Sequence, residues 1–451
     1  MTGHDPRRPR RRPDRRLCAA VGAVLMLVAA GVVIYYPRYS YEELPGRCDR
    51  NTLVVAGGTD VSLNNQRRAL IRRWNADHPR TPAVLQEIDP STDLQHSQLK
   101  AVGDSASCAY DVLILDNPRT AEFAENDRLL PLEPPPDAGD FFPAALRTGR
   151  HGGVQYALPF NLDVGLLYHR RDRPPPATWA DLYRTGFTTQ LRGDYEGLTV
   201  NALEAVWNDG AADRLTGGDR PDRRRLRDQV FPALLRLSGR VAASEPLRRS
   251  RGFDEQASIA AFASGDVPMR NWPYAYPTLA TEPRMREGGR LTYSVTALPG
   301  RTVLGGQNLA VSARSPHPGE ATRLVHFLTS RDSQRLLFSC GGFAPVRHSA
   351  LGLQPGRDDP AAVAVPPCSR LPGTTAVRGE PDIPDRAQLA ELGRAVLGSL
   401  ARAQPRPHTP HYTTFTETFR GCVNAIMRGR GDADRFATAV AESLDGRAAS
   451  C

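Results

Sequence analysis

From residue 50 onward, apolar residues come in short runs separated by polar stretches with helical spacing. Residues 52–58 (TLVVAGG) read as a buried strand, and Leu63, Leu70, Ile71 and Trp74 then fall on one face of a helix. Residues 83–88 form a second strand, 93–103 a helix, and 111–116 (DVLILD) a third strand. A further helix over 118–126 opens with Pro118, where the missing N–H costs nothing. Strands alternating with helices predict an α/β fold with a parallel sheet covered on both faces. Such sheets hold ligands beyond the carboxyl ends of their strands, where the chain delivers Gly57, Gly58, Thr59 and Asp60, and later Asp116 and Asn117.

Residues 156–168 (YALPFNLDVGLLY) read as two short extended pieces around a polar break, the pattern of a crossover between lobes. Thr178 is the natural N-cap of a helix starting at Trp179. Apolar helical segments follow at 231–237 and 259–262. Residues 270–276 (RNWPYAY) make an aromatic loop that no packing period explains. A strand entered through glycines spans 304–311, an amphipathic helix 320–328, and two further helices 415–427 and 433–444. Ahead of these last two helices, 353–386 contain seven prolines and Cys368 and read as a long surface loop; no internal repeat is evident.

One run has a different character. Residues 17–36 (LCAAVGAVLMLVAAGVVIYY) carry no charge, and at about 1.5 Å per residue a helix of this length spans about 30 Å, the thickness of a bilayer core. Residues 1–16 hold seven arginines against Asp5 and Asp14. The positive-inside rule therefore puts this basic tail in the cytoplasm and everything after Tyr36 outside. The run leaves through Ile34, Tyr35, Tyr36 and Pro37 with no Ala-x-Ala site, which favours an uncleaved anchor over a signal peptide; secretion after cleavage is the alternative. Cys18 stands at the start of the run, the wrong place for a lipidated cysteine. The other six cysteines suit an oxidising compartment, and proximity along the chain suggests Cys48 with Cys108, Cys340 with Cys368 and Cys422 with Cys451.

At 451 residues, 40% hydrophobic and 24% charged, the chain is too long for one small module and too apolar for a disordered one. The net charge of +9 invites a nucleic-acid reading, but +5 of it sits in residues 1–16, so a topology signal explains it better and no nucleic-acid partner is expected. Lys100 is the sole lysine, and no GxxxxGK[ST], GxGxxG or HExxH motif occurs. His408 and His411 are three apart beside prolines, a poor basis for a metal site, and neither metal nor cofactor is expected. Asp60, Asp116, Asp163 and Glu255 are candidates for the acid and base of a glycosidase. Carbohydrate binding needs aromatic faces for the apolar side of a sugar ring and polar groups for its hydroxyls. Trp272, Tyr274 and Tyr276, with Asp60, Asp116, Asn161, Asp163 and Arg406, supply both.

In order and spacing, YDVLILD, YALPFNLDVGLLYHRRD, ATWADL, FASGDVPMRNWPYAY, LGGQNLAVSARS and RPHTPHY resemble the extracellular solute-binding proteins (family 1) of ABC importers, in particular the maltose/trehalose-type sugar-binding group. The likeness covers about residues 50–445. It implies a periplasmic-binding-protein-like fold, two α/β lobes joined by crossover strands with the ligand in the interlobe cleft. On that pattern 49–158 and 304–352 build lobe 1, and 159–303 and 353–445 build lobe 2. The resemblance makes Asp60, Asp116, Asn161 and Asp163 hydroxyl-binding groups, Glu255 a further acid, Trp272 the main stacking indole with Tyr274 beside it, Gly306 a backbone contact and Arg406 the arginine of an RP motif. The sequence departs at Gln307, where many relatives carry a second tryptophan, and in lacking a lipobox.

These readings together imply a monomeric, non-enzymatic substrate-binding protein that holds an oligosaccharide outside the cell for ABC permease subunits, attached to the membrane by its N-terminal helix. A membrane-anchored solute sensor of the same fold and a glycoside hydrolase are the alternatives.

Overall fold

A computed structural model describes residues 48, 50–63, 65–88, 92–104, 108–211, 221–353 and 384–451. The basic tail, the apolar run 17–36 and most of the proline-rich loop lie outside the described residues. No helix among the described residues is long and apolar enough to cross a membrane.

Strands β1 (Leu53–Gly58), β2 (Ala83–Ile88) and β3 (Val112–Asp116) form where the apolar runs place them, with β1 in the centre and parallel to both neighbours. Side-chain alternation splits β1 between two cores. Leu53 and Val55 join Leu70, Ile71 and Trp74 of α1 (Gln66–Asp77), whereas Val54 and Ala56 join Leu99 of α2 (Thr92–Asp104) and Phe123.

The expectation of an all-parallel sheet fails beyond these three strands. Strands β4 (Ala157–Val164), β5 (Leu166–Arg170), β6 (Met269–Asn271), β7 (Tyr293–Ala297), β8 (Thr302–Val311) and β9 (Ala403–Pro405) complete the two main sheets. In the first, β8 runs antiparallel to β3 and β4 and parallel to β9, so that sheet is mixed. The reversal arises because β4 carries the chain away from β1–β3 and β8 brings it back. The second sheet is β7-β5-β6, antiparallel throughout.

The two edges of β8 differ. One is lined by β4 along most of its length, with an irregularity between Gln307 and Asn308. The other pairs with β9 at residues 302–304 and with β3 at 307–311, leaving Gly305 and Gly306 between them. The break expected in 156–168 falls at Gly165, and the polar Asn161 and Asp163 sit within β4 instead. Gly165 is required by close approach, since a Cβ there would lie 2.6 Å from Thr302 Oγ1.

Helices α3 (Gly197–Asn208), α4 (Phe231–Ala243), α5 (Glu255–Ser264), α6 (Pro318–Leu328), α7 (Arg386–Leu400), α8 (Tyr412–Met427) and α9 (Ala433–Leu444) add to the large core. Thr178 caps its helix as expected, accepting from Asp181 N–H at 3.1 Å. The aromatic segment is not a free loop: Tyr276 is fully buried in the helix Ala275–Ala280 and donates to Glu391 at 2.7 Å, so it belongs to the core. Disulfides join Cys48 to Cys108 and Cys422 to Cys451. Cys340 is also disulfide-bonded, and its expected partner Cys368 lies outside the described residues.

Candidate functional site

Because β3 is antiparallel and β9 parallel to β8, their carboxyl ends face each other across Gly305 and Gly306. Asp116 ends β3 and Arg406 follows β9, and the two form a bidentate pair with bonds of 3.0 and 2.8 Å. Arg406 also donates to Glu196 at 3.1 Å and to Asn117 Oδ1 at 3.1 Å. Burial opposes its charge, yet Asp116, Tyr412 and Glu196 win and raise its pKa. Gly306 has φ +114°, and a Cβ there would meet the Asn161 carbonyl oxygen at 2.1 Å, so the backbone is bare at the floor of the gap.

Over this gap lies a cavity of about 180 Å³. Nine of the ten residues expected to bind ligand line it: Asp116, Asn161, Asp163, Glu255, Trp272, Tyr274, Gly306, Gln307 and Arg406.

Asp60 is the exception. Its Oδ1 accepts from the Ser62 N–H (3.0 Å) and Oγ–H (2.6 Å), and its Oδ2 accepts from the Arg67 N–H (2.9 Å). A carboxylate after a strand end serves equally well to cap the next helix, and here it does so for α1.

The Trp272 indole is fixed from two directions. Its Nε1–H donates to Glu255 Oε1 at 3.1 Å, and the Arg270 guanidinium lies 3.9 Å from the ring. Arg270 is itself clamped by Glu204 through bonds of 2.9 and 2.6 Å, and both side chains are completely buried.

Arg67, Tyr195, Glu196 and Phe343 also line the cavity and were not read from the sequence. Arg67 looked like one more polar residue on an amphipathic helix, although it stands in the first turn after a glycine-rich strand end. It donates to Gln307 and lies 5.1 Å from the Phe343 ring. Gln307 is thus held by an arginine, and Phe343 adds an aromatic ring to the lining. Tyr195 and Glu196 sit in a loop with no motif to mark them.

Two of the lining carboxyls, Asp163 and Glu255, are shifted toward the neutral form. Burial, helped by Asp116 and Glu255, pushes Asp163 up to about 7, against the pull of Arg406 and Arg67. Burial also raises Glu255, although Tyr195 and Trp272 donate to it. Burial lowers the Arg67 pKa against the pull of Asp60 and Asp163. The Oδ1 atoms of Asn161 and Asp163 and the Nε atoms of Arg67 and Arg406 are buried without a hydrogen-bond partner, leaving acceptors and donors for a ligand with hydroxyls to satisfy. Among the described residues no cluster of three His, Cys, Asp or Glu is arranged to hold a metal ion.

Residues 61–335 match the family model of bacterial extracellular solute-binding proteins. A curated relative from Deinococcus radiodurans, described as a "Probable ABC transporter-binding protein", is 30% identical over 220 residues, 43% of this chain and 52% of that protein. The chain thus spans about half the length of that relative. Among solved structures, maltose-bound MalE3 of T. maritima superposes with a TM-score of 0.70 at 22% identity, covering 87% of this chain and 99% of that one. The GacH receptor of Streptomyces glaucescens GLA.O, solved unliganded and with acarbose and a homolog, gives 0.64 at 18% identity over 87% and 96%. These likenesses show the two-lobed α/β fold.

Proposed function

The chain belongs to the bacterial extracellular solute-binding proteins, and from that premise we propose that it captures an oligosaccharide outside the cell, a disaccharide such as trehalose or maltose, and delivers it to the permease of an ABC importer. The observation that carries this reading is the oriented indole of Trp272 beside a ring of unsatisfied donors and acceptors in one cleft. A pyranose offers an apolar face to the first and hydroxyls to the second. The solved relatives bound to maltose and to acarbose support a sugar as the solute class.

Binding without turnover is the better fit to the carboxylates. Asp60 is engaged by Ser62 and the Arg67 N–H, Asp116 is held bidentate by Arg406, and Glu255 accepts from both Tyr195 and Trp272. Only Asp163 keeps an unpartnered oxygen, whereas glycoside hydrolysis needs two working carboxyls. The N-terminal apolar run serves as the membrane anchor in this reading, with the folded part outside.

A thermal-shift screen of mono- and disaccharides on the purified protein identifies the ligand, because a molecule that binds the native state raises its apparent stability. Calorimetry of Trp272→Ala with that ligand then shows binding weakened by at least about 1 kcal/mol. Unchanged affinity removes the indole from the site, and no shift with any sugar overturns the sugar reading.

A further inference from the structure

Six charged side chains line the cleft: Asp116, Asp163, Glu196 and Glu255 against Arg67 and Arg406. The two cations are already engaged. Arg406 is paired with Asp116 and Glu196, and Arg67 lies against Asp60 at 3.9 Å and donates to Gln307. Asp163 and Glu255 therefore form no ion pair with any cation among the described residues. Glu255 receives two neutral donors, Tyr195 and Trp272. Asp163 receives only a long bond from Asn161 Nδ2 at 3.4 Å, and its Oδ1 is buried without a partner. Beside it, the Oδ1 of Asn161, a side chain only 3% exposed, also lacks a donor.

Resting on the sugar-binding reading, we propose that the solute is an amino-sugar, whose ammonium group sits against Asp163 and Glu255. A hydroxyl would give this corner one hydrogen bond and no charge. An ammonium donates three hydrogen bonds, enough for Asp163 Oδ1 and Asn161 Oδ1, and cancels the surplus negative charge in a site where water cannot.

Burial holds Asp163 at about 7, with Asp116 and Glu255 raising its pKa and Arg406 and Arg67 lowering it; Asn161 on its own strand and the Tyr274 hydroxyl also face it. The bound ammonium adds a further cation and pulls that carboxyl down. Binding near neutral pH therefore releases a proton, and affinity rises with pH through about 7 until the amine itself deprotonates.

The test is calorimetry of the purified full-length protein at pH 6 and pH 8, in buffers of different ionisation enthalpy. The probes are glucose, glucosamine, trehalose and its 2-amino and 6-amino derivatives. We expect at least one amino-sugar to bind about tenfold or more tighter than its neutral parent at pH 8, with proton release at pH 6. In Asp163→Asn, its folding checked by thermal melt, the ratio of the two affinities collapses toward one. Neutral parents binding as tightly as the amino forms overturn the inference and leave the sugar reading standing. Binding of none of the probes overturns both. A preference that survives Asp163→Asn overturns the role given to that residue.

Discussion

Asp116 and Arg406 grip each other through two near-parallel hydrogen bonds, at 3.0 and 2.8 Å, from the facing tips of β3 and β9. Arg406 carries almost no solvent exposure and also holds Glu196. Arg406→Met leaves both carboxylates without their counter-ion, and removing one member of a buried ionic cluster costs about 3–5 kcal/mol. Urea denaturation should show that loss, with Arg406→Lys intermediate because an ammonium cannot reproduce the fork. An unchanged midpoint for Arg406→Met means the pair is ornamental.

Gly306→Ala and Gly305→Ala should separate sharply. The first places a Cβ 2.1 Å from the Asn161 carbonyl oxygen at φ +114°, and the second meets Asp163 Cβ at 3.2 Å. With strain of this kind worth about 1–3 kcal/mol, Gly306→Ala should be the less stable variant in chemical denaturation by at least about 1 kcal/mol. Equal stabilities contradict the geometry.

Asp163 ties stability to pH. Its folded pKa of about 7 lies above the ordinary value of 3.8, so between these values the native state binds more protons than the unfolded chain and stability falls as pH rises. Asp163→Asn removes that cost. It should raise the melting temperature at pH 8, by an amount equivalent to as much as about 4 kcal/mol for a shift of roughly three units at about 1.4 kcal/mol each, and leave it nearly unchanged at pH 4. A gain of the same size at both values contradicts the assignment.

Thr413 on α8 makes a polar knot with residues packed on the first sheet: it accepts from Arg119 at 2.8 Å, bonds His96 Nε2 at 2.9 Å and lies 2.7 Å from Glu122 Oε2. Burial works against the Glu122 charge, but His96 and Thr413 prevail and hold the carboxyl down at about 2. Thr413→Val strips the knot of its centre at nearly constant shape. Losing such hydrogen bonds costs about 1–3 kcal/mol. A thermal melt should show that loss, with Thr413→Ser, which keeps the hydroxyl, recovering most of it. Equal melting temperatures for the wild type and Thr413→Val contradict a stabilising knot.

β1 and β3 were legible because burial on both faces forces uninterrupted apolar runs, as in VLIL before Asp116, whereas β2, half exposed, showed itself only through Ala83, Val84 and Leu85. The mixed sense of the sheet was not legible, since direction depends on how the chain returns through β8, which starts at Thr302, long after β4 ends at Val164, by way of a second sheet. Helix α7 escaped notice beside the proline-rich loop, although its signal was present: Asp385 and Gln388 form a capping box, and Leu389, Leu392 and Val396 are buried at helical spacing. In the cleft, residues at strand ends and in the aromatic segment could be nominated. Asp60 lies outside the lining because helix capping and ligand binding draw on the same kind of carboxylate, and Arg67, Tyr195 and Glu196 are brought in only by tertiary packing.

The sharing of β8 between β3 and β9 has a consequence for how such a protein can change. The first sheet draws strands from both sides of the second, whose own three strands lie in the single stretch 166–297, so any one cut between residues 58 and 302 divides the first sheet. An exchange of 166–297 severs no strand of the first sheet, yet it replaces Tyr195, Glu196, Glu255, Trp272 and Tyr274 while Asp116, Asn161, Asp163, Gly306 and Arg406 stay. One half of the lining is thus exchangeable against a constant other half.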